Sequence, residues 1–370
     1  MRISFKTELK LNNFQLTQLA KHAGVARHAW NWGLDLCKMI LDYNRANPDE
    51  KMKFPSAIDL HKFLVSWVKV ENPWYYEVSK TSPQYALRHL SSAFSDFFRK
   101  KTANGRKVGF PRFKRKGQHD SFTLEGTIKV EHRSIQLPKL GVLKTYERLP
   151  QGLTPKTAII SRTANSWFVS FSYEIEPTIT TKLIDVCGVD LGIKSLATLS
   201  TGETFSNPQL TLKSQARLAR LQKAASRKIK GSNNRRKANM KVAKQHARTA
   251  NIRKDTLNKL TTYLAKNHSQ IVIEDLNVSG MMANHCLAKS IADLGLYEFR
   301  RQLTYKSELY GAEVITVNRF FPSSKTCSCC GHIQDMPLKE RVFNCQHCNI
   351  SIDRDLNAAR NLEHQALVLA

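Results

Sequence analysis

Three carboxylates and four cysteines are the residues of this 370-residue chain whose types and spacing can do chemistry together. Asp190 closes the apolar run in Gly188-Val-Asp190-Leu-Gly192, and Glu274 closes Gln270-Ile-Val-Ile-Glu274. Asp355 follows in Asp353-Arg-Asp355-Leu-Asn-Ala-Ala-Arg360. Acids at strand ends and on a late helix can converge on paired divalent cations. Such cations supply an activated water and stabilise charge on the leaving oxygen of a phosphodiester. Mg²⁺ suits the arrangement because it binds carboxylate and phosphate oxygens and keeps some waters. A lone acid at a strand end is usually a turn or cap residue; three in this order point to phosphodiester cutting. Asp353 and Asp275 compete for the role, but Asp353 reads as the cap of the final helix. Asp275 falls on the opposite face of its strand from Glu274.

The cysteines fall in two knuckles, Cys327-x-x-Cys330 and Cys345-x-x-Cys348. Four thiolates at this spacing make a tetrahedral Zn²⁺ site with no open position, hence a structural one. Cys329 competes with Cys330, and the two-residue spacing favours Cys330. His332 and His347 are further donors that four thiolates leave unneeded. The other cysteines, Cys37, Cys187 and Cys286, are scattered singly. Clustered rather than spread cysteines indicate a reducing, cytosolic compartment.

The elements that must position these residues are legible from periodicity. Arg2 to Leu11 alternates like a strand, with Ile3, Phe5 and Leu9 on one face. From Asn13 a helical period runs through Leu19, Ala23, Ala26 and Trp30 to Tyr43, and Asn47-Pro48 ends it. A second helical stretch spans about Ala57 to Val70. A third is expected to begin with Ser82 as N-cap and Pro83 at the first helical position. Between Gly105 and Pro177 short β runs separated by turns predict a compact β-barrel-like module. Strands follow at Ile184 to Val189, Ser195 to Leu199 and Glu203 to Phe205. A long helical stretch covers Leu210 to Ala265. The strand at Ile271 to Glu274, a helix from Ile291 to Tyr310 and the strand Glu313 to Val317 form a parallel crossover unit.

The formal net charge is +28, which predicts strong attraction to polyanions. Nucleic acid is the first candidate. No apolar stretch approaches the roughly 20 residues of a bilayer span, and the start lacks the apolar region of a signal peptide. No acidic residue occurs between Glu203 and Asp255, whereas cations including Arg227, Arg235, Arg236 and Lys237 recur there. Helices of one sign repel themselves unless a polyanion compensates. The loop Arg106-Lys107-Val-Gly-Phe110-Pro-Arg112-Phe113-Lys114 interleaves cations with rings, as a segment lying along a phosphate backbone does.

These motifs resemble the TnpB family, the transposon-encoded RNA-guided nucleases akin to type V CRISPR effectors. The matching pieces are Gly188-Val-Asp190-Leu-Gly192, Ile273-Glu274-Asp275-Leu276, Phe321-Pro-Ser-Ser-Lys-Thr-Cys327 with its partner knuckle, and Asp353-Arg-Asp355-Leu-Asn357-Ala-Ala. Arg27-His-Ala-Trp-Asn-Trp-Gly33 and Gly109-Phe-Pro-Arg-Phe-Lys114 join them upstream. The resemblance implies a multidomain α/β plus α+β protein. Its RNase H-like (RuvC) nuclease domain would span residues 181–321 and 350–370, with the basic helical stretch 210–265. A zinc-ribbon insert would occupy 322–349, a helical recognition domain 11–101, and a wedge-like β-barrel 1–10 with 102–180.

The family also implies a guide RNA from the transposon end and a double-stranded DNA target beside a short flanking motif, with no membrane and no obligate protein partner. Asp190, Glu274 and Asp355 would bind the Mg²⁺ ions, with Mn²⁺ as the alternative. Lys80, Ser82, Gln84 and Arg88 resemble the region that reads the flanking motif. Cytoplasmic placement in a prokaryote, on the nucleoid when DNA-bound, follows from the same resemblance. Two other functions fit the residues: a guide-independent recombinase or resolvase using the same carboxylates, and an RNA-guided DNA-binding repressor that does not cut.

Overall fold

A computed structural model describes residues 1–100, 108–337 and 339–369. Arg106 and Lys107 of the basic loop lie outside the described residues. The chain divides into two compact units, Arg2–Ile175 and Glu176–Ala370.

The first unit opens with β1 (Arg2–Lys10) and then α1 (Asn13–Ala46). Asn12 caps α1 with Gln15 in a reciprocal box, satisfying two of the orphan amides at the helix start. The buried face of α1 carries Leu19, Ala23, Ala26, Ala29, Trp30 and Leu34, the positions the helical period marks. The second helical stretch is α2 (Ala57–Phe63), a π turn over Leu64–Val68 and a last turn α3 (Lys69–Glu71). Next comes α4 (Thr81–Phe98). It starts two residues earlier than expected, and Ser82 does not cap it. Ser82 is fully buried and its hydroxyl donates to the carbonyl of His22.

Six strands complete this unit: β2 (Ser121–Glu125), β3 (Lys129–Val130), β4 (Ser134–Leu137), β5 (Gly141–Thr145), β6 (Thr157–Thr163) and β7 (Ser166–Glu174). They join β1 in a seven-stranded sheet of order β2-β6-β7-β1-β5-β4-β3. The expected barrel does not close: β2 and β3 are its edges, and among the described residues no ladder joins them. β1 is the pivot, paired antiparallel to β7 along its length and to β5 at Leu9 and Lys10. Helices and sheet share one hydrophobic core, running from Leu19 and Leu87 to Ile160 and Phe171.

The second unit contains β8 (Ile184–Asp190), β9 (Ser195–Leu199) and β10 (Thr204–Ser206), then α5 (Leu210–Ser226) and α6 (Asn233–Asn267). The single long helix read from the sequence is thus a pair, split where residues 227–232 leave the helix and Ser232 caps α6. After β11 (His268–Glu274) come α7 (Val278–Met282), α8 (Ala288–Leu294) and α9 (Leu296–Tyr310). Gly295, at φ +69°, breaks what the sequence suggests is one helix into α8 and α9. Then follow β12 (Glu313–Val317), the hairpin β13 (Val342–Asn344) with β14 (Ser351–Asp353), and α10 (Arg354–Leu369).

The central sheet has the order β10-β9-β8-β11-β12. β11 runs parallel to both β8 and β12, while β9 and β10 are antiparallel. Leu257, Leu260, Leu264, Phe299 and Leu303 cover one face, and Leu362 and Ala366 of α10 cover Val272 on the other. Among the described residues no helix is long and apolar enough to cross a membrane.

Candidate active site and metal centre

Parallel pairing brings the first two acids together. The β8–β11 register aligns Val189 with Ile273, so the next residue on each strand, Asp190 and Glu274, stands at one level on neighbouring strands. Neighbouring strands lie about 4.8 Å apart. Both acids close their strands at the carboxyl edge of a parallel pair, where open α/β sheets bind ligands. Asp355 enters from the first turn of α10, which packs on β8.

The electrostatics record this crowding. Burial pushes the Asp190 carboxyl up to about 7, and the neighbouring charges of Glu274, Asp355 and Asp353 add to the effect against the pull of Arg354. The negative charge gathered there outweighs Arg354, and a divalent cation is the kind of group that would neutralise it. The donor set, oxygen from three carboxylates on three elements, fits Mg²⁺. The two competitors are otherwise engaged. Asp353 accepts from the amides of Asp355 (2.9 Å) and Leu356 (3.1 Å), capping α10. Asp275 is held by Arg319 and by Arg300 (2.9 Å), whose hydrogen bonds keep its carboxyl below the usual range. Beside Glu274 a 290 Å³ cavity is lined by Leu191, Asn277, Tyr297, Arg300 and Arg319.

The four knuckle cysteines converge. Their sulfurs all lie within 4.8 Å of one another, and among the described residues no other group of metal-binding side chains is as close. The three carboxylates do not form such a group among the described residues. Cys327 and Cys348 are 3.6 Å apart, as are Cys330 and Cys345. That is far beyond a disulfide of about 2.05 Å. It matches the edge of a ZnS₄ tetrahedron, about 3.8 Å for Zn–S bonds of about 2.3 Å. The Cys345 thiol is pulled down to about 6, first by the backbone N–H of Cys348, which favours the thiolate that zinc needs. Cys329 is exposed and outside the group, and the rings of His332 and His347 stack on each other at 5.7 Å.

Several positioning residues carry no titratable signal and escape a reading by acid and cysteine. The Ser323 hydroxyl donates to Glu274. Asn361 of α10 donates to the carbonyls of Ser323 (2.7 Å) and Thr326 (2.6 Å). Asn357 accepts from the Ser328 amide (2.9 Å) and donates to Thr326 (2.7 Å). α10 therefore grips the segment that carries both Ser323 and the first knuckle cysteine, Cys327. Arg341, just before β13, reaches Asp355 at 3.9 Å.

The proposed nucleic-acid residues are distributed more unevenly. Lys80 is exposed and lines a 670 Å³ cavity with Lys69 and Lys139, neither of which the sequence singles out. Gln84 is half-buried, and Arg88 is exposed, close to the Tyr85 ring and to Glu125. Ser82 is enclosed, as described above, so it cannot meet a ligand at the surface. Arg112 is exposed, whereas Lys114 lies 4.0 Å from the centre of the Trp30 ring. Arg227, Arg236 and Lys237 are exposed around the α5–α6 turn. Arg235 instead donates to the Lys228 carbonyl at 2.9 Å and ties that turn.

Comparison with known proteins places this geometry. A protein of Streptomyces pristinaespiralis named "Putative RNA-guided DNA endonuclease" is 36% identical over 367 residues, covering 97% of this chain and 88% of that one. The chain belongs to the TnpB (OrfB) family. Another member, "Putative RNA-guided DNA endonuclease InsQ" of Escherichia coli strain K12, is 34% identical over 97% of this chain and 91% of its own. Family descriptions match in three places: OrfB_IS605, "Probable transposase", over residues 170–285; "Cas12f1-like, TNB domain" over 297–362; and the OrfB "Helix-turn-helix domain" over 1–42. In this TnpB-family chain the last of these is one strand and one unbroken helix. The structure titled "mini-RNA-guided endonuclease CRISPR-Cas_phi3" shares the fold, at a TM-score of 0.50 and 10% identity, covering all of this chain and 92% of the other.

Proposed function

We propose that this chain is an RNA-guided DNA endonuclease of a transposon, cutting target DNA next to a short flanking motif by metal-dependent hydrolysis. The observation that supports this reading is that Asp190 and Glu274 end neighbouring parallel strands and the charge of Asp355 on α10 bears on Asp190, in a chain homologous over nearly its full length to proteins named for that activity. The strand order, third-second-first-fourth-fifth within its unit, supports an RNase H-like, RuvC-type nuclease domain over 181–321 and 350–370. Residues 322–349 form its zinc ribbon. Residues 11–101 serve as the recognition part and 1–10 with 102–180 as the wedge, together holding guide and target.

Asp190, Glu274 and Asp355 would hold the Mg²⁺ ions, which when bound would supply Lewis acidity and an activated water. The chain's own residues orient the donors. Ser323 fixes the rotamer of Glu274, Asp353 caps the helix that presents Asp355, and Arg341 offers a cation near the same acid. The zinc ribbon does no chemistry and braces the segment leading to α10. The guide RNA comes from the transposon end, and the site of action is the cytoplasm, on the nucleoid.

The deciding experiment expresses the chain with its native flanking DNA, sequences the co-purified RNA, and assays cutting by wild type and Asp190→Ala. A discrete RNA, guided cutting, and loss of cutting but not of RNA in the variant are expected. Random cellular RNA with guide-independent cutting would instead favour the recombinase reading. Guided DNA binding without cutting by wild type would favour the repressor.

A further inference from the structure

Two upstream motifs that the carboxylate site does not use meet in the first unit. The indole Nε1 of Trp30 donates to the Arg112 carbonyl at 3.0 Å. Asn31 donates to the Lys114 carbonyl (3.0 Å) and accepts from the Lys114 amide (2.8 Å), acting on the loop as a neighbouring strand would. An irregular loop has no internal ladder, so these three bonds and the Lys114–Trp30 contact fix it across α1. Phe113, between the two clasped residues, is left 51% exposed.

Phe113 borders a cavity of about 940 Å³ with Trp32 and Trp74. Trp74 is braced there: it stacks on Tyr75 at 4.5 Å, meets the edge of His28 at 5.0 Å, and donates its N–H to Asn72 at 3.1 Å. Three rings held at one open cavity, in a chain of formal charge +28, are a platform for stacking bases rather than a patch for an apolar partner. The polar lining narrows the ligand further. Asp35 is exposed and makes no ion pair among the described residues, and Glu77 lines the same cavity, paired with Lys21 at 2.5 Å. Carboxylates repel phosphate oxygens and accept only from donors. A ribose offers the 2′-hydroxyl as such a donor, and deoxyribose does not.

The geometry points to a pocket for one unpaired ribonucleotide of a single-stranded RNA, its base stacked among Trp32, Trp74 and Phe113 and its 2′-hydroxyl facing Asp35 and Glu77. The inference rests on the nucleic-acid reading above and adds a site separate from the carboxylates. Lys21 and Arg27 also line the cavity, Lys21 paired with Glu77 and Arg27 3.3 Å from Asp120.

The test uses the full chain without added Mg²⁺ and a single-stranded RNA carrying 5-iodouridine, with crosslinked residues mapped by mass spectrometry. Crosslinks at the three rings are expected. At high salt, Phe113→Ala should weaken RNA binding by about tenfold, the loss of one stacked base. Asp35→Asn should narrow the preference for RNA over DNA of the same sequence. Crosslinks confined elsewhere, or unchanged affinity in both Phe113→Ala and Trp32→Ala, would overturn the pocket. Equal crosslinking and equal losses on DNA would overturn its assignment to RNA. Failure of the full chain to bind any RNA would refute the parent reading instead. Phe113 is exposed enough that its removal leaves folding intact, which melting of the variant verifies.

Discussion

Gly188 and Ala359 touch through their backbones. A Cβ at position 188 would lie 1.9 Å from the Ala359 carbonyl oxygen and 2.6 Å from the Glu363 amide nitrogen. Asp190 is two residues further along β8, and Asp355 is one helical turn earlier in α10. The absent side chain at 188 therefore sets how near the first and third acids come.

Gly188→Ala accordingly forces α10 off the sheet, because backbone cannot yield as a flexible side chain does. Overpacking of this kind costs about 3 kcal/mol or more. Thermal melting should show the second unit destabilised, and cutting should be lost even below the new midpoint. A variant with unchanged melting and unchanged cutting would show that α10 sits elsewhere.

Asn361→Ala should separate positioning from stability. Removing this buried amide leaves the Ser323 carbonyl without its partner, at a cost of about 1–3 kcal/mol. The larger effect should be on cutting, since Ser323 then no longer fixes Glu274. Single-turnover cleavage well below the melting point measures it; a rate equal to wild type would free Glu274 from this dependence.

The pH response of the metal-free protein follows from Asp190. Its folded carboxyl titrates at about 7, against an ordinary 3.8. The folded state therefore holds the proton more tightly than the unfolded one between these values. This contribution to stability is fully present below about 3.8 and is lost as pH rises through about 7. Melting temperature without divalent cation should fall across that window, Mg²⁺ should restore it at the alkaline end, and Asp190→Asn should flatten the profile. A dependence of the same steepness in Asp190→Asn would assign it to another group.

The sequence displayed the charged parts of this site and hid its scaffolding. Asp190, Glu274 and Asp355 stand out only together, since each alone reads as a turn or cap residue, whereas two C-x-x-C knuckles a short connection apart are distinctive in themselves. Ser323, Asn357 and Asn361 look like ordinary polar residues, and only the fold shows that they tie α10 to the zinc segment. Ser82-Pro83 misled for a different reason. A good capping pair was overridden by burial, where the serine hydroxyl found the His22 carbonyl instead. Whether the first sheet closed was likewise beyond local pattern, since closure depends on pairing between its outermost strands.

Zinc removal should disarm the carboxylates without touching them. The ribbon's own core is little more than Cys327, Met336, Phe343 and Cys345, too small to fold unaided. Cys345→Ser, or chelation, should lower zinc content and melting together and reduce cutting, while RNA binding by the first unit persists. Zinc measured by plasma emission alongside melting tests this; full zinc content in Cys345→Ser would remove that residue from the ligand set.

The dependence on α10 also has a consequence for the life of the message. Asp190 and Glu274 leave the ribosome well before Asp355, so a nascent chain carries two thirds of the carboxylate set and none of its final geometry. A product cut short by a premature stop or frameshift before α10 would keep the strongly basic helices and the entire first unit, yet could not assemble the three acids. Such fragments would compete with intact protein for the same polyanions. Small lesions in the coding sequence ahead of α10 would thus create not merely a null allele but an antagonist.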